Sequence, residues 1–140
     1  MLNDLLYLSK LAMVFVHTNN LENGTEMLRR SIFIYEYACI PTLFGSFPEK
    51  NTEINLMDAD LPENKGFFSA LFRLMQISCM VGCLETSLCI SRFLLSLDPI
   101  RDPMGVLLTL DYFALATHNF RFLVDLVDSN VVSNSYMDSL

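Results

Sequence analysis

A chain of 140 residues that is 52% hydrophobic is long enough for one domain with a sizeable core. Its formal net charge of −7, with a pI near 4.6, sets it apart from proteins that neutralise phosphates with runs of Lys and Arg, so direct DNA binding is not expected. The mean hydropathy of +0.37 is high. Even so, Lys10, His17, Arg73, Glu85, Arg92 and Asp111 interrupt every apolar stretch before it reaches the ~20 residues of a spanning helix, so no membrane partner is expected.

The chain opens with an apolar segment that predicts a helix over Asp4–Thr18, with Leu8, Leu11, Ala12 and Phe15 facing inward. Asp4 also stands where a secretion signal would carry basic residues. A second helix is predicted over Glu22–Cys39, with Gly24, Leu28 and Ser31 inward. The stretch from Thr42 to Gly66 then breaks the pattern with Pro48, Pro62, Gly45 and Gly66, and it reads as an insertion loop over 42–66. Loops beyond ~12–15 residues are usually functional or disordered. The apolar residues Leu43, Phe44, Phe47, Ile54 and Leu56 argue that part of this one packs down.

A third helix is predicted over Lys65–Met80, with Asn64 as its cap and a stripe of Phe67, Leu71, Leu74, Ile77 and Val81. Gly82 suits the turn that closes it. The fourth helix, Leu84–Leu97, contains neither Gly nor Pro and ends at Pro99, which also pushes Asp98 out of the α region. Asp102 followed by Pro103 reads as an N-cap acceptor and a first-turn proline, giving a fifth helix over Pro103–Thr117. A sixth is predicted over Phe120–Asp128. Leu74, Leu88 and Leu110 are the expected core leucines.

The helices pair as hairpins that share a frame of ~34 residues, the length of a tetratricopeptide unit. Residues 5–38 and 68–101 fit it, and an incomplete third copy begins near Met104 with Leu107, Leu110 and Ala114, then Leu123 and Val127. In the second copy Leu71, Leu74, Met75 and Ser78 face inward, as do Ser87, Ser91 and Leu94. The match is loose, since the chain has no Trp. The expectation is an all-α fold of stacked antiparallel helical hairpins. It would form a tetratricopeptide-like α-solenoid within a single helical-repeat domain spanning 1–140.

Candidate chemistry is weak throughout. Cys79, Cys83 and Cys89 lack a CxxC spacing, and His17 and His118 are far apart in sequence, so no metal is expected. The four cysteines, these three and Cys39, read as reduced, buried thiols without a disulfide. Asp98, Asp102 and Asp111 could form a carboxylate constellation, but a turn residue, a cap and a helix-surface residue describe them better. The aromatics Phe67, Phe68, Phe72, Phe93, Tyr112, Phe113, Phe120 and Phe122 read as core. The loop acids Glu49, Glu53, Asp58, Asp60 and Glu63 read as a solvated face, and their functional alternative is contact with a basic partner surface. No catalytic residue and no cofactor are expected.

Several motifs resemble the transcription-factor-25 family, whose fungal members are ribosome quality control complex subunits. They are Glu63-Asn64-Lys65-Gly66-Phe67-Phe68, Gly82-Cys83-Leu84-Glu85-Thr86-Ser87, Ser96-Leu97-Asp98-Pro99 with Asp102-Pro103, and Leu107-Leu108-Thr109-Leu110-Asp111 with Ala114-Leu115. Upstream, "YEYACIPTLF", Tyr35 to Phe44, is similar to a further family helix end. The resemblance covers roughly Leu5 to Asp128. Val81 and Lys65 stand where the family usually has arginines. The family's basic N-terminal region and most of its C-terminal helical part are not in the sequence, which reads as a fragment of a larger family domain.

The resemblance implies a noncatalytic scaffold subunit of the ribosome-associated quality control complex. In that role it would assist a ubiquitin ligase that ubiquitinates stalled nascent chains on the large ribosomal subunit for degradation. The implied partners are the ligase, the large ribosomal subunit and ubiquitin, and the implied location is cytoplasmic and ribosome-associated. The alternative is a nuclear transcriptional repressor acting through protein–protein contacts. An all-helical enzyme is a third class, but it would gather its titratable groups at one place, whereas here they are dispersed among helix ends and one loop.

Overall fold

The computed structural model describes residues 2–43 and 57–129, and among these the fold is all-helical, with no strand. In chain order the helices are α1 (Leu2–His17), α2 (Leu21–Leu43), α3 (Pro62–Met80), α4 (Leu84–Leu97), α5 (Leu107–Ala116) and α6 (Phe120–Asp128). The predicted bounds of α4 and α6 match these, and those of α1 differ by one or two residues. α2 runs past the expected end at Cys39 and carries Pro41 in its last turn. α3 starts at Pro62, three residues before the expected Lys65. Both helices therefore reach into the predicted loop.

The chain forms two compact units, residues 1–71 and 72–140, with α3 passing from one to the other. In the first unit α1 packs on α2. The buried face of α2 is Gly24, Leu28, Ser31 and Tyr35, which recur at intervals of four, three and four residues. Among the described side chains of α1, Ser9 and Ala12 are buried. A Cβ on Gly24 would sit 3.3 Å from both the Ala12 carbonyl oxygen and Val16 Cγ2. Gly24 thus stands where the two backbones approach closely.

Tyr35 stacks on Phe67 with ring centroids 4.2 Å apart. Its hydroxyl donates to Asn64 Oδ1 at 2.5 Å and lies 3.7 Å from Met57 Sδ. Asn64 Nδ2 in turn donates to the Asp58 carbonyl at 2.7 Å. Asn64 therefore does not cap α3 as expected. It lies inside the helix and ties the preceding segment to Tyr35. Met57 and Ala59 are buried there. Part of the loop does pack down, through these two residues. Leu43 is described only in its backbone, and Phe44, Phe47, Ile54 and Leu56 lie outside the described residues.

In the second unit serines bring α3 and α4 together. Ser87 Oγ lies 3.1 Å from the Met75 carbonyl and 3.3 Å from the Cys83 carbonyl. Ser91 Oγ donates to the Ser87 carbonyl at 2.8 Å and touches Met75 Sδ at 2.9 Å. Both serines are fully buried. Their hydroxyls find backbone acceptors, so a small side chain is accommodated without an orphaned polar group. Leu88, Leu94, Leu95, Val106, Leu110, Phe113 and Ala114 complete the core. α5 packs against α4 and against α6. Leu88 and Leu110 are buried as expected, as are Leu71, Met75, Ile77 and Ser78 of α3, but Leu74, at the edge of that buried face, is only half-buried.

The corner after α4 is held by Asp98, which is 2% exposed and has the expected extended backbone, φ −152° and ψ 78°. Arg101 donates to its carboxylate through Nε and Nη2, each at 2.7 Å. The Asp102 carboxylate accepts from the amides of Val106 and Leu107, both at 2.9 Å. The fifth helix begins at Leu107 and not at Pro103, with Val106 in place of the expected Asp102 as its N-cap residue, and the Asp102 carboxylate ties the corner to the two amides that open the helix. Asp102 has φ +40° and Gly105 has φ +64°, so the backbone between them cannot run as a right-handed helix.

Three helices end in the same way. Asn19, Gly82 and His118 all have left-handed backbones, with φ of 59°, 83° and 57°. The amide of the next residue donates back to the Phe15, Ser78 and Ala114 carbonyl respectively, each at 2.8 Å. The left-handed residue's own amide reaches the Val16, Cys79 and Leu115 carbonyl at 3.0, 3.0 and 3.1 Å. This paired closure is the Schellman motif. Asn20 and Asn119 then cap the following helices through side-chain oxygens, on the amides of Asn23 and Phe122. α1 and α2, α3 and α4, and α5 and α6 are thus joined by the same kind of turn.

Candidate interaction surface

The sequence placed five acids in a partner-binding loop, and the structure describes the side chains of two of them. Asp58 and Asp60 are exposed and alternate with buried Met57 and Ala59, so the segment lies down with its carboxylates outward. The Asp60 amide donates to Asp58 Oδ1 at 3.0 Å, and the Leu61 amide reaches the Asp58 carbonyl at 3.4 Å. Asp58 thereby shapes the turn that leads into α3. Glu63 stands in the first turn of α3, described only in its backbone, and Glu49 and Glu53 lie outside the described residues.

The three aspartates weighed as a carboxylate constellation are structural. Asp98 is held by Arg101 and Asp102 by two backbone amides. Asp111 accepts from the Tyr112 amide at 2.7 Å. The cysteine expectation needs correction. Cys83 and Cys89 are exposed and Cys79 is half-buried, all three as free thiols. Cys83 stands in the turn before α4, and Cys89 lies on the outer side of that helix. The side chain of Cys39 lies outside the described residues. Among the described residues no three His, Cys, Asp or Glu side chains gather into a group that could hold a metal.

The aromatic expectation divides. Phe67, Phe68 and Phe113 are core, and Phe72 and Phe122 are half-buried. Phe122 carries the Arg92 guanidinium 4.6 Å above its ring. Phe93, Tyr112 and Phe120 are exposed, because each helix has more apolar residues than its buried face can take. Val81 is exposed for the same reason. Val127, expected inward, is exposed too, and Leu123 is half-buried.

Sequence reasoning missed two apolar surfaces. One is an open groove of α1 and α2 lined by Leu8, Arg29, Arg30, Phe33 and Ile34, in which Arg30 pairs with Glu26 at 2.8 Å. The other is the outer side of α5 and α6, where Leu108, Tyr112, Leu115, Phe120, Val124 and Val127 are exposed. The signal for both was available as a second helical stripe beside the first: Phe33 and Tyr37 on α2, and Leu108, Tyr112 and Leu115 on α5. No helix of the described residues is long and apolar enough to cross a membrane.

The model of a family described as "Transcriptional repressor TCF25" matches residues 5–138. The chain is 33% identical over 121 residues to "Probable transcription factor claV" of Ampulloclitocybe clavipes, covering 86% of this chain and 15% of that protein. It is 24% identical over 130 residues to "Ribosome quality control complex subunit 1" of Saccharomyces cerevisiae, covering 90% and 17% respectively. It is 36% identical over 105 residues to "Ribosome quality control complex subunit TCF25" of Mus musculus, covering 75% and 15%. The chain thus spans less than two thirds of the length of each of these relatives. No solved structure matches.

Proposed function

The chain belongs to the TCF25 family, and from that premise we propose that it is part of a noncatalytic scaffold of ribosome-associated quality control. The yeast and mouse relatives are named as subunits of a ribosome quality control complex. The observation that carries the reading into this chain is the repeated turn at Asn19, Gly82 and His118. It supports a tetratricopeptide-like stack of hairpins in one helical-repeat domain over residues 1–140, and stacked hairpins present extended surfaces to protein partners.

In this role the chain contributes binding and no chemistry. It acts in the cytoplasm on the large ribosomal subunit, beside a ubiquitin ligase, where ubiquitin is a further partner. The acids Glu49, Glu53, Asp58, Asp60 and Glu63 face a basic partner surface. That contact is salt-sensitive, because exposed charges are screened within ~8 Å at physiological ionic strength.

Affinity purification of the full-length gene product tests the reading. Recovery of large-subunit ribosomal proteins together with a ubiquitin ligase supports it, and their absence from the purified material overturns it. Changing the five acids together to neutral residues should weaken that recovery while helicity by circular dichroism stays intact. If recovery survives this change, the loop is only a connector.

A second reading is a nuclear regulator of transcription acting through protein contacts. The name of the Ampulloclitocybe clavipes relative favours it. Chromatin proteins recovered without ribosomal proteins would decide for this alternative.

A further inference from the structure

Asn23 is the only asparagine of the chain that a glycine follows. In an open chain such a pair is chemically labile. Glycine puts no side chain in the way and leaves the backbone free to turn. The Gly24 nitrogen can then attack the Asn23 carboxamide carbon. A new C–N bond closes a succinimide ring, and the carboxamide nitrogen leaves as ammonia with the proton of the Gly24 amide. Water reopens the ring at either carbonyl. One opening leaves aspartate at position 23. The other leaves isoaspartate, whose main chain passes through the former side chain and is longer by a methylene.

The folded chain holds this reaction shut. Asn23 and Gly24 stand in the first turn of α2. The Gly24 amide donates to the Asn20 carbonyl at 3.1 Å, and the Asn23 amide donates to Asn20 Oδ1 at 3.3 Å. The proton that the attacking nitrogen must lose is thereby held by an acceptor. Closing the ring also needs a ψ at Asn23 far from the helical value. α1 clamps the same turn, since Gly24 is buried and a Cβ there would lie 3.3 Å from both the Ala12 carbonyl oxygen and Val16 Cγ2. Asn23 itself is exposed to water. The close approach that calls for glycine at position 24 thus protects the bond that glycine makes labile.

We propose that Asn23–Gly24 is a deamidation site gated by the pairing of α1 with α2, shut while the hairpin is formed and, once used, a bar to its re-forming. The extra methylene of isoaspartate displaces Gly24 where little space remains against α1. A modified chain therefore keeps a record of having opened. The proposal does not rest on the ribosomal reading, since it follows from one dipeptide and its packing.

The full 140-residue chain is aged in neutral buffer with and without urea, and the peptide carrying Asn23 is followed by mass spectrometry. Loss of Asn23 is expected in urea, and at least ~10-fold more slowly without it, because only opened molecules react. Equal rates, or no loss in urea, overturn the proposal. Leu28, fully buried on the same face of α2 as Gly24, supplies a second arm. Leu28→Ala should speed the loss in plain buffer by at least ~10-fold. If circular dichroism shows that this variant is unfolded, it should match the wild-type rate in urea. A folded variant with the wild-type rate would assign the protection to the helix alone and overturn the gate. The aged chain is then refolded by dilution, and hydrogen exchange of its α2 amides is compared with that of Asn23→Asp, which has the same charge without the added methylene. Asn23→Asp should recover protection, and the isoaspartate chain should not. Recovery by both, or by neither, overturns the role of the methylene.

Discussion

Ser87 Oγ on α4 lies 3.1 Å from the Met75 carbonyl on α3, and both residues are buried. A hydroxyl placed against a backbone oxygen of the neighbouring helix requires a short side chain. Ser87→Ala removes the hydrogen bond and should cost about 1 kcal/mol. Ser87→Leu overfills the same space and should cost about 1–3 kcal/mol. Urea denaturation should rank them in that order, and a leucine variant as stable as the alanine one would contradict the close approach.

Tyr35 offers a separable test in the other unit. Tyr35→Phe keeps the stack on Phe67 and removes the donor to Asn64, so a loss of about 1 kcal/mol is expected. Tyr35→Ala removes ring and hydroxyl together, for a loss of about 3–5 kcal/mol. Thermal unfolding of the two variants distinguishes the polar from the apolar contribution.

Leu88→Ala and Leu110→Ala should each destabilise by about 2–5 kcal/mol, since both side chains are buried. Leu74→Ala should cost less than either, because Leu74 is half-buried. Equal losses at all three would contradict the observed facing of α3.

The shared turn makes opposite predictions at two of its copies. Gly82 has φ +83°, so Gly82→Ala should lower stability by about 1 kcal/mol although its Cβ would meet nothing within 4 Å. His118 holds the same conformation with a side chain, at φ 57°. His118→Gly relieves about 1–2 kcal/mol of backbone strain against a smaller unfolded-state entropy term. A net gain of up to about 1 kcal/mol in chemical denaturation is expected.

Exposed Cys83 and Cys89 should react promptly with a thiol-specific chromophore in the native state, and half-buried Cys79 more slowly. Mass mapping of the modified peptides assigns the sites. Slow modification of Cys83 would contradict its position in the open turn before α4.

How much of this was legible depends on what marks each feature. The ends of α4 could be read because Gly82 and Pro99 are hard stops on either side of a stretch that contains neither residue. The start of α5 could not, because Asp102 and Gly105 take left-handed backbones that Asp-Pro alone does not announce. Gly24, Ser31, Ser87 and Ser91 were legible as inward-facing residues and are buried. The exposure of Phe93, Tyr112 and Phe120 was not, since periodicity counts apolar residues without saying which of two stripes finds a neighbour. For the loop, composition located the acids, while the anchoring of its end through Asn64 and Tyr35 is a long-range pairing invisible to any local window.

The closures at Asn19, Gly82 and His118 are made by main-chain amides and carbonyls, with three different amino acids at one bend. A seam of that kind tolerates a change of letter so long as the angle is kept. What selection sees at these three corners is therefore the backbone angle, so a newcomer that can hold a left-handed conformation passes where a β-branched residue would unfasten the helix end.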